Sequence, residues 1–439
     1  MRISTSQIFD SGALGIQNNQ SGLYKLQNQL STGRRVLTPQ DDPVAAAQGL
    51  VVTQTKEVNQ QYIENQGQAK SQLGLVDSQL SSLVDVLQEV RERVIQAGNT
   101  GTLSQSDRAT IATGLESRLS EIIGIANSDN GVGEYLFSGY KGNVRPFAVD
   151  GSLAPVPPAT VRPVTYFGDD GERLLQVSSS QKMAVSVAGS DAFMLAKAGN
   201  GTFVTGTGGN LATDPSPLGF TPPSVGNNQG SATVDAGSVL DQGKWNAVGI
   251  PERYMVRFTV TVAGATTYQL FDNTTPATPL PLLATPQPYS SGQAIKLERT
   301  IAPAADYGGQ IVVQGQPKDG NSLTVAPSTS QSLFQTMQNL IGILNSPIGS
   351  LNYTATQFSN ELGAELTNLD QSFNNIGTVR AQVGTRMQEI ESLGSASSDL
   401  DIQYQATLSD LQDLDYAKAI SDFMNQQMNL EAAQQSFAK

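Results

Sequence analysis

The acidic pair Asp41-Asp42 is the most conspicuous candidate for chemistry in this sequence. A glycosidase-like acid/base couple needs two carboxyl groups about 5–10 Å apart, facing each other across a cleft. Adjacent residues in a turn do not face each other in this way, and the next residue, Pro43, is favoured at the first position of a helix. The sequence therefore favours Asp42 as a helix N-cap over a catalytic role for the pair.

Three other short motifs could carry chemistry. Asp169-Asp170-Gly171 is typical of a hairpin turn and lacks the 12-residue acidic spacing of a calcium loop. Asn273-Thr274-Thr275 and Asn352-Tyr353-Thr354 match the acceptor pattern for N-glycosylation, which chance satisfies easily. We find no phosphate-binding loop and no dinucleotide fingerprint. We therefore predict no catalytic, cofactor-binding or metal-binding residues, no cofactor, and a protein that is not an enzyme.

The composition restricts function in the same direction. The sequence has 439 residues and contains neither histidine nor cysteine. This excludes Ser-His-Asp and Cys-His catalysis, the usual zinc sites, haem, iron–sulfur clusters and disulfides. The 26 basic and 39 acidic residues give a net charge of −13, which argues against binding to nucleic acid or anionic membranes. We find neither a cleaved signal peptide nor a run of apolar residues long enough to span a membrane.

Proline divides the chain into two arms and a centre. Of 21 prolines, 17 lie between residues 141 and 326. Proline-poor arms on both sides are compatible with helices, so the centre is interpreted as an insertion between arms that pack together.

The first arm predicts a long helix that begins at Pro43 and ends before Gly98. At about 55 residues and a rise of about 1.5 Å per residue, it would be about 80 Å long. A second helix is predicted from the capping box at Ser104–Asp107 to about Asn127. Apolar residues in the long helix alternate at spacings of three and four, as in a coiled coil: Leu73, Val76, Leu80, Leu83, Leu87, Val90 and Val94.

The last arm repeats this alternation. Its predicted seam consists of Leu362, Leu366, Leu369, Phe373, Ile376, Val383, Met387 and Ile390. Arg380 occupies one seam position and has two interpretations. Its aliphatic stem could lie along the seam edge with the charge in water, or its charge could fix the helix register against an acidic partner.

The centre predicts β-structure. Residues 256–262 alternate with period two and are rich in β-branched side chains, and residues 267–271 and 310–313 are similar. Residues 198–231 are dominated by Gly, Asn, Thr, Ser and Pro and predict a long surface loop. We therefore predict an α+β fold: a long antiparallel helical rod, formed by coiled-coil-like arms from both termini, with an inserted, mainly-β outer domain.

Both chain ends predict amphipathic helices whose apolar stripes are interrupted by small or polar residues. We expect these stripes to mediate subunit assembly and to become ordered only with neighbouring subunits. The alternative is that they pack on the rest of the monomer. The N-terminal stripe consists of Phe9, Ile16, Leu23, Leu26 and Leu30, with Gly12 and Asn19 at its gaps. The C-terminal stripe consists of Ile420, Phe423, Leu430 and Phe437, with Gln427 and Gln434 at its gaps.

Several motifs in the two arms resemble the flagellin superfamily. Residues 30–43, with Pro39 and Pro43, resemble its N-terminal signature in the branch of the FlgL-type hook-associated proteins, and residues 1–5 fit that branch. Residues 134–139 resemble the segment where the helical domain gives way to the outer β domain, and residues 413–437 resemble the C-terminal helix. Residues 88–93 and 380–384 resemble stretches of flagellin itself. The centre is similar only at residues 190–193 and 315–320.

The resemblance implies a structural subunit of the bacterial flagellum, located at the hook–filament junction. Its partners would be copies of itself, the hook-side junction protein, flagellin, and an export chaperone on the C-terminal helix. The chain would be exported unfolded by the flagellar secretion apparatus, without a cleaved signal peptide. Members usually continue into a short apolar tail, whereas this sequence stops at Lys439, so we expect a shortened or missing tail.

The resemblance also implies a division into three parts. Residues 1–40 with 405–439 would be a terminal coiled-coil assembly region, residues 41–140 with 327–404 a helical rod domain, and residues 141–326 the inserted β domain. Two alternatives stay open. The chain could be a filament flagellin, against which the two-proline motif argues, or a secreted enzyme or adhesin carried on the β domain, which no catalytic motif supports.

Overall fold

The computed structural model describes residues 5–99, 103–149, 151, 162–207, 230–275, 278–349 and 353–437, with side chains from residue 9 to residue 436. Its helices are α1 (Thr5–Thr32), α2 (Pro43–Ala97), α3 (Gln105–Ala126), α4 (Gln242–Trp245), α5 (Leu333–Asn345), α6 (Ala355–Gln412) and α7 (Tyr416–Phe437), together with a π-helical turn at Ser190–Met194. None of the helices in the described part of the chain combines the length and apolarity that a membrane span needs.

Short strands make up the centre of the chain. They are β1 (Phe147–Val149), β2 (Val164–Tyr166), β3 (Leu174–Gln176), β4 (Lys182–Ala184), β5 (Ala196–Lys197), β6 (Phe203–Thr207), β7 (Thr233–Val234), β8 (Ser238–Val239), β9 (Tyr254–Val260), β10 (Thr266–Asp272), β11 (Leu280–Pro281), β12 (Gln287–Pro288), β13 (Ala294–Arg299), β14 (Ala305–Gln314), β15 (Ser322–Pro327) and β16 (Ser330–Gln331). Long helices with an antiparallel β region between them confirm the predicted α+β fold.

The predicted helix boundaries in the first arm are correct. The long helix α2 has 55 residues, from Pro43 to Ala97. The next helix, α3, begins with a complete capping box, in which the Ser104 side chain accepts a hydrogen bond from Asp107 N and Asp107 accepts one from Ser104 N. This capping box satisfies backbone N–H donors that have no intrahelical partner at the start of a helix. Local capping chemistry therefore determines where α3 starts.

The chain forms two compact units. Unit 1 contains residues 1–69, 176–183 and 388–439, and unit 2 contains residues 70–175 and 184–387. The long helices α2 and α6 each begin in one unit and end in the other. Unit 1 therefore holds the terminal helices, and unit 2 holds α3, α5 and most of the β-structure.

Two antiparallel sheets form the main β core of unit 2. One sheet has the order β11-β10-β9-β15-β6, with β12 also paired to β10, and the other has the order β13-β14-β7, with β8 also paired to β14. Their buried side chains form one apolar cluster, which includes Tyr254, Val256 and Phe258 of β9 with Ile295 and Leu297 of β13. The two sheets therefore pack against each other through alternate residues of their strands.

The predicted surface loop at residues 198–231 is wrong in part. Residues Phe203–Thr207 form β6, which pairs with β15 from Phe203 opposite Pro327 to Thr207 opposite Leu323. The residues of this segment gave no strand signal in the sequence because many of them are small or polar. Pairing with β15 stabilises the strand despite its low local propensity. The part of this loop from 208 to 229 lies outside the described residues.

An aromatic cluster joins the helices of unit 2 to its β-structure. Phe137, Phe147, Phe193 and Phe334 are fully buried, with ring centroids 5.0–5.8 Å apart. They come from the loop after α3, from β1, from the π-helical turn and from α5. Two of the motifs that carry the family resemblance, at residues 134–139 and 190–193, therefore meet in one core.

Candidate assembly site on the terminal helices

The terminal helices α1 and α7 pair with each other in an antiparallel arrangement. Gln426 Nε2 donates to Asn19 Oδ1 at 3.3 Å, and a Cβ added at Gly22 would lie 3.0 Å from the same Gln426 nitrogen. Towards the other end of the pair, Tyr416 lies beside Gly33. We expected the ends to become ordered only on assembly; instead, each provides the other with a partner inside one chain.

Most of the predicted N-terminal stripe lies on the face of α1 that is half-buried. Ile16, Leu23, Leu26 and Leu30 are half-buried, as are the predicted gap positions Gly12 and Asn19. Phe9, at the start of the stripe, is 61% exposed. The spacing thus identified the correct face of α1, and that face is only partly covered.

The predicted C-terminal stripe is wrong by one position at its start. Phe423 and Leu430 are half-buried, but Ile420 is 46% exposed, and the buried residue at this turn is Ala419. The covered face continues through Gln426, whereas the predicted gap residue Gln427 is exposed. The side chain that is buried at this turn of α7 is therefore not the largest one. The Phe437 side chain lies outside the described residues.

A second apolar face of α7 is exposed to solvent. It consists of Ile420, Met424 and Met428, which follow each other at a spacing of four residues and are 46%, 62% and 63% exposed. Residues at this spacing lie one above another on a helix. Single exposed apolar residues are ordinary, but a continuous row is typical of an interaction surface. We refer to these three residues as the outer face of α7.

The connection between the terminal helices and the long helices is held by backbone pairing. Arg35 N donates to Gln412 O at 2.7 Å, and Leu414 N donates to Gly33 O at 2.9 Å. The Arg35 guanidinium also donates to Leu411 O at 2.9 Å. Gly33 has φ of 70°, and a Cβ there would lie 2.8 Å from Tyr416 Oη. Only glycine fits this position without strain.

Asp41 and Asp42 organise this connection as hydrogen-bond acceptors. Asp41 accepts from the backbone of Leu37 and Thr38 and pairs with Lys25 of α1 at 2.6 Å. The ammonium of Lys25 and these donors lower the pKa of Asp41 to about 2. Asp42 Oδ1 accepts from Ala45 N at 3.0 Å, which is the predicted N-cap contact and the main reason that its pKa is lowered. A general acid needs a raised pKa, so both carboxylates are better suited to fixing the chain than to proton transfer.

The predicted seam of α2 is buried along its whole length. Each of its side chains is at most 1% exposed: Leu73, Val76, Leu80, Leu83, Leu87, Val90 and Val94. In unit 2 this part of α2 runs antiparallel to α6, because Asp77 pairs with Arg380 and Arg91 pairs with Asp370. The heptad spacing therefore predicted the buried face of α2 correctly.

The predicted seam of α6 is correct at only some positions. Leu362, Leu369, Ile376, Val383 and Ile390 are buried, whereas Leu366, Phe373 and Met387 are half-buried. At the intervening turns the buried side chains are Glu365 and Ser372. This segment of α6 is covered from a second side, where Asn360 donates to Ala232 O and Asn368 accepts from Gly199 N. A helix covered on two sides buries polar positions that a single stripe cannot predict.

Arg380 makes the contact that the second interpretation requires. Its Nε donates to Asp77 Oδ1 at 2.9 Å, and both side chains are half-buried. An ion pair between the two helices favours one register over slipped alternatives.

The remaining sequence motifs have structural roles. Asp169 Oδ1 accepts from Tyr140 N and Gly171 N, so this aspartate caps a turn. Asn273 is 4% exposed, which makes its side chain a poor acceptor for a bulky sugar. Asn352 lies outside the described residues. Glu361 and Glu365 are two buried acidic residues that sequence reasoning missed, because acidic residues in a helix are interpreted as solvent-exposed.

Comparisons with known proteins give one consistent result. Residues 3–142 match the family model of the bacterial flagellin N-terminal helical region. The whole chain aligns at 25% identity with 96% of flagellar hook-associated protein 3 of Salmonella typhimurium. The crystal structure of the flagellar junction protein FlgL from Legionella pneumophila has a TM-score of 0.66 and 28% identity, covering 83% of this chain and 100% of that chain.

Similarity to flagellin is more local. The flagellin of Escherichia coli is 36% identical over 109 residues, which cover 24% of this chain and 21% of that protein. The resemblance to the FlgL-type hook-associated proteins, expected from the motifs of the arms, is therefore confirmed and extends over the whole sequence.

Proposed function

We propose that this chain is a structural subunit of the bacterial flagellum that joins the hook to the filament by helical self-assembly. The observation that carries the proposal is the alignment of the full chain with almost the full length of a flagellar hook-associated protein 3. Similarity to a solved flagellar junction protein over 83% of the chain supports the same role. The work of such a subunit is the formation of contacts, and we propose that it catalyses no reaction.

The terminal helices are the proposed assembly surface. It consists of the two predicted stripes, Phe9, Ile16, Leu23, Leu26, Leu30, Ile420, Phe423, Leu430 and Phe437, extended by Met424 and Met428 of the outer face. Half-burial of the α1–α7 contact and exposure of the outer face support this proposal, because both leave apolar area that a neighbouring subunit can cover. The proposed partners are further copies of the chain, the hook-side junction protein and flagellin.

We propose that the chain has three functional parts, with the boundaries predicted from the sequence. Residues 1–40 with 405–439 would assemble, residues 41–140 with 327–404 would form the helical domain, and residues 141–326 would form the inserted β domain. The backbone pairing of Gly33 and Arg35 with Gln412 and Leu414 supports a boundary there, since it closes the α1–α7 pair at the start of the long helices.

We further propose that the chain acts outside the cell, after export by the flagellar type III apparatus without a cleaved signal peptide. A dedicated export chaperone would cover α7 before assembly. The outer face of α7 supports this, because Ile420, Met424 and Met428 would otherwise be exposed in the cytoplasm. The absence of cysteine is compatible with threading of an unfolded chain, since no disulfide can form.

A filament flagellin is the second candidate, and the match to the flagellin N-terminal region favours it. Deletion of the gene in its own bacterium distinguishes the two. Loss of filaments from intact hooks, with flagellin released into the medium, is expected for a junction subunit. Hooks that keep filaments, or a label distributed along the filament, would contradict the junction role. A tagged copy should restore attachment and label only the hook–filament boundary.

A further inference from the structure

An apolar groove lies between α2 and α6 in unit 1. Its volume is about 430 Å³, many times the roughly 30 Å³ that one water molecule occupies, so it has room for whole side chains. No described part of the chain covers it, since Val51 in its wall is 63% exposed. The groove is lined by Ala47, Gln48, Val51 and Val52 of α2 and by Thr407 and Leu411 of α6.

The groove continues along an exposed stripe of valines on α2. Val44, Val51 and Val58 are 66%, 63% and 45% exposed. They recur every seven residues, so they lie on one side of the helix. From the first valine to the third, the stripe is about 21 Å long at a rise of about 1.5 Å per residue. Single exposed valines are ordinary, but a continuous row beside a groove is typical of an interaction surface.

The walls of the groove are neutral as well as apolar. Its lining residues are all uncharged, and neither residues 43–55 of α2 nor residues 402–409 of α6 include Asp, Glu, Lys or Arg. A partner that covers the groove therefore removes apolar area from water without desolvating a charge on this side of the contact. The chemistry of the walls fits a partner surface that is apolar, uncharged and narrow enough to enter between two helices.

The outer face of α7 has these properties. Ile420, Met424 and Met428 form an exposed row, which is about 12 Å long at a rise of about 1.5 Å per residue and is therefore shorter than the valine stripe. Residues 423–430 contain no charged side chain. Methionine is unbranched and flexible, so it adapts to an irregular apolar surface. An amphipathic helix that places such a row in an apolar groove is a common mode of recognition.

The α7 helix does not reach the groove of its own chain. It is held against α1 by the contact between Gln426 and Asn19, and Leu414 N donates to Gly33 O just before α7 begins. Both apolar surfaces stay exposed in the single chain, so they do not cover each other there. Docking within one chain would break the contacts of α7 with α1, whereas docking between two copies leaves them intact.

We propose that the outer face of α7 in one subunit docks into the α2–α6 groove of a second copy of this chain. The inference rests on the proposed function, because it names the surface that receives α7 during helical self-assembly. The two surfaces differ, so the contact is heterologous, and each added subunit presents a free groove or a free outer face to the next. Such a contact builds a ring or a helical array, in which every subunit uses both surfaces.

Opposite charges placed on the two surfaces test the contact in the full-length chain. In the deletion strain, we expect Val51→Asp and Met424→Lys each to reduce incorporation about tenfold at equal secretion. The double variant pairs the two charges between subunits and should recover incorporation to within about threefold of wild type. Gln60→Asp is the matched control, because Gln60 is exposed on the opposite side of α2, about two and a half turns after Val51. Single variants that incorporate like wild type, or a double variant without recovery, would overturn the proposal.

Disulfide trapping tests the same contact without placing a charge in it. The chain has no cysteine, so Val51→Cys combined with Met424→Cys supplies the only thiols, and a disulfide needs Cα atoms less than about 7 Å apart. Mild oxidation of isolated flagella should link copies of this variant into covalent dimers and longer species, whereas Gln60→Cys with Met424→Cys should stay monomeric. Attached filaments with monomers in both variants would overturn the docking and leave the junction role intact. Hooks that keep filaments in the deletion strain would contradict the junction role, whatever the crosslinks show.

Discussion

The seam of α2 and the terminal helices have similar apolar spacing, but their apolar side chains are buried to different extents. Every predicted seam residue of α2 is at most 1% exposed, whereas Ile16, Leu23, Phe423 and Leu430 are half-buried. A heptad pattern shows which face of a helix is apolar, but it does not show how completely another element covers that face. The difference indicates that α2 contributes to the stability of one chain, while α1 and α7 leave apolar area exposed, which the proposed assembly would cover.

The polar contacts differ in the same sense. Two arginine–aspartate pairs join α2 to α6, with Arg380 Nε 2.9 Å from Asp77 and Arg91 Nε 2.7 Å from Asp370. The α1–α7 contact has a neutral amide contact at its middle, with 3.3 Å between Gln426 and Asn19. Charged pairs are stronger and more directional than neutral ones, so the register of the long helices is specified more firmly than that of the chain ends.

Truncation in the seam should have the largest effect on stability. Leu80→Ala removes a fully buried side chain, and we expect a loss of about 3 kcal/mol in unfolding free energy, measured by urea denaturation. Leu50→Ala is the matched control on the same helix, because Leu50 is 70% exposed and should change stability by less than about 0.5 kcal/mol. Similar losses in the two variants would contradict the claim that the buried seam of α2 stabilises the chain more than its exposed face does.

Reversal of the Asp77–Arg380 pair tests the register of the seam. Arg380→Asp places two carboxylates together, and we expect a destabilisation of about 1 kcal/mol for this half-exposed pair. The double variant Asp77→Arg with Arg380→Asp should recover most of that loss. A double variant that is no better than the sum of the two single variants would show that the pair does not act as a unit.

The Asp41 carboxylate should have a smaller and pH-dependent effect. Asp41→Asn removes the ion pair with Lys25 and weakens acceptance from Leu37 and Thr38. Because the folded-state pKa is about 2 against 3.8 in the unfolded chain, the contribution is present above pH about 3.8 and is lost as the pH falls through about 2. Faster amide exchange of residues 37–42 at neutral pH is the expected result. Unchanged exchange there would mean that the connection is held by its backbone alone.

Much of the helical architecture could be predicted from local sequence. Pro43 and the Ser104 capping box determine helix starts by local stereochemistry, and the leucines and valines of the α2 seam are buried throughout, as their spacing predicts. The prediction for α6 did not include Glu365 among the buried residues. This side chain is buried because it accepts hydrogen bonds from amides of α5 and β16, which the heptad pattern of α6 does not record. The prediction for α7 fails at Ile420 because the side chain buried at that turn of α7 is that of Ala419, one position earlier. Both errors arise from tertiary packing, which periodicity does not record.

The most direct test of the account is incorporation of a Met428→Asp variant at the hook end. The side chain is 63% exposed on the outer face of α7, so thermal stability of the purified chain should be unchanged, while a charge at a subunit contact should reduce incorporation about tenfold or more. Gln427→Asp adds the same charge at an exposed polar neighbour and, with the amount secreted, controls for export. Immunogold counts at hook–filament boundaries should fall for Met428→Asp alone. Counts equal to wild type at equal secretion would contradict the claim that the outer face of α7 mediates assembly.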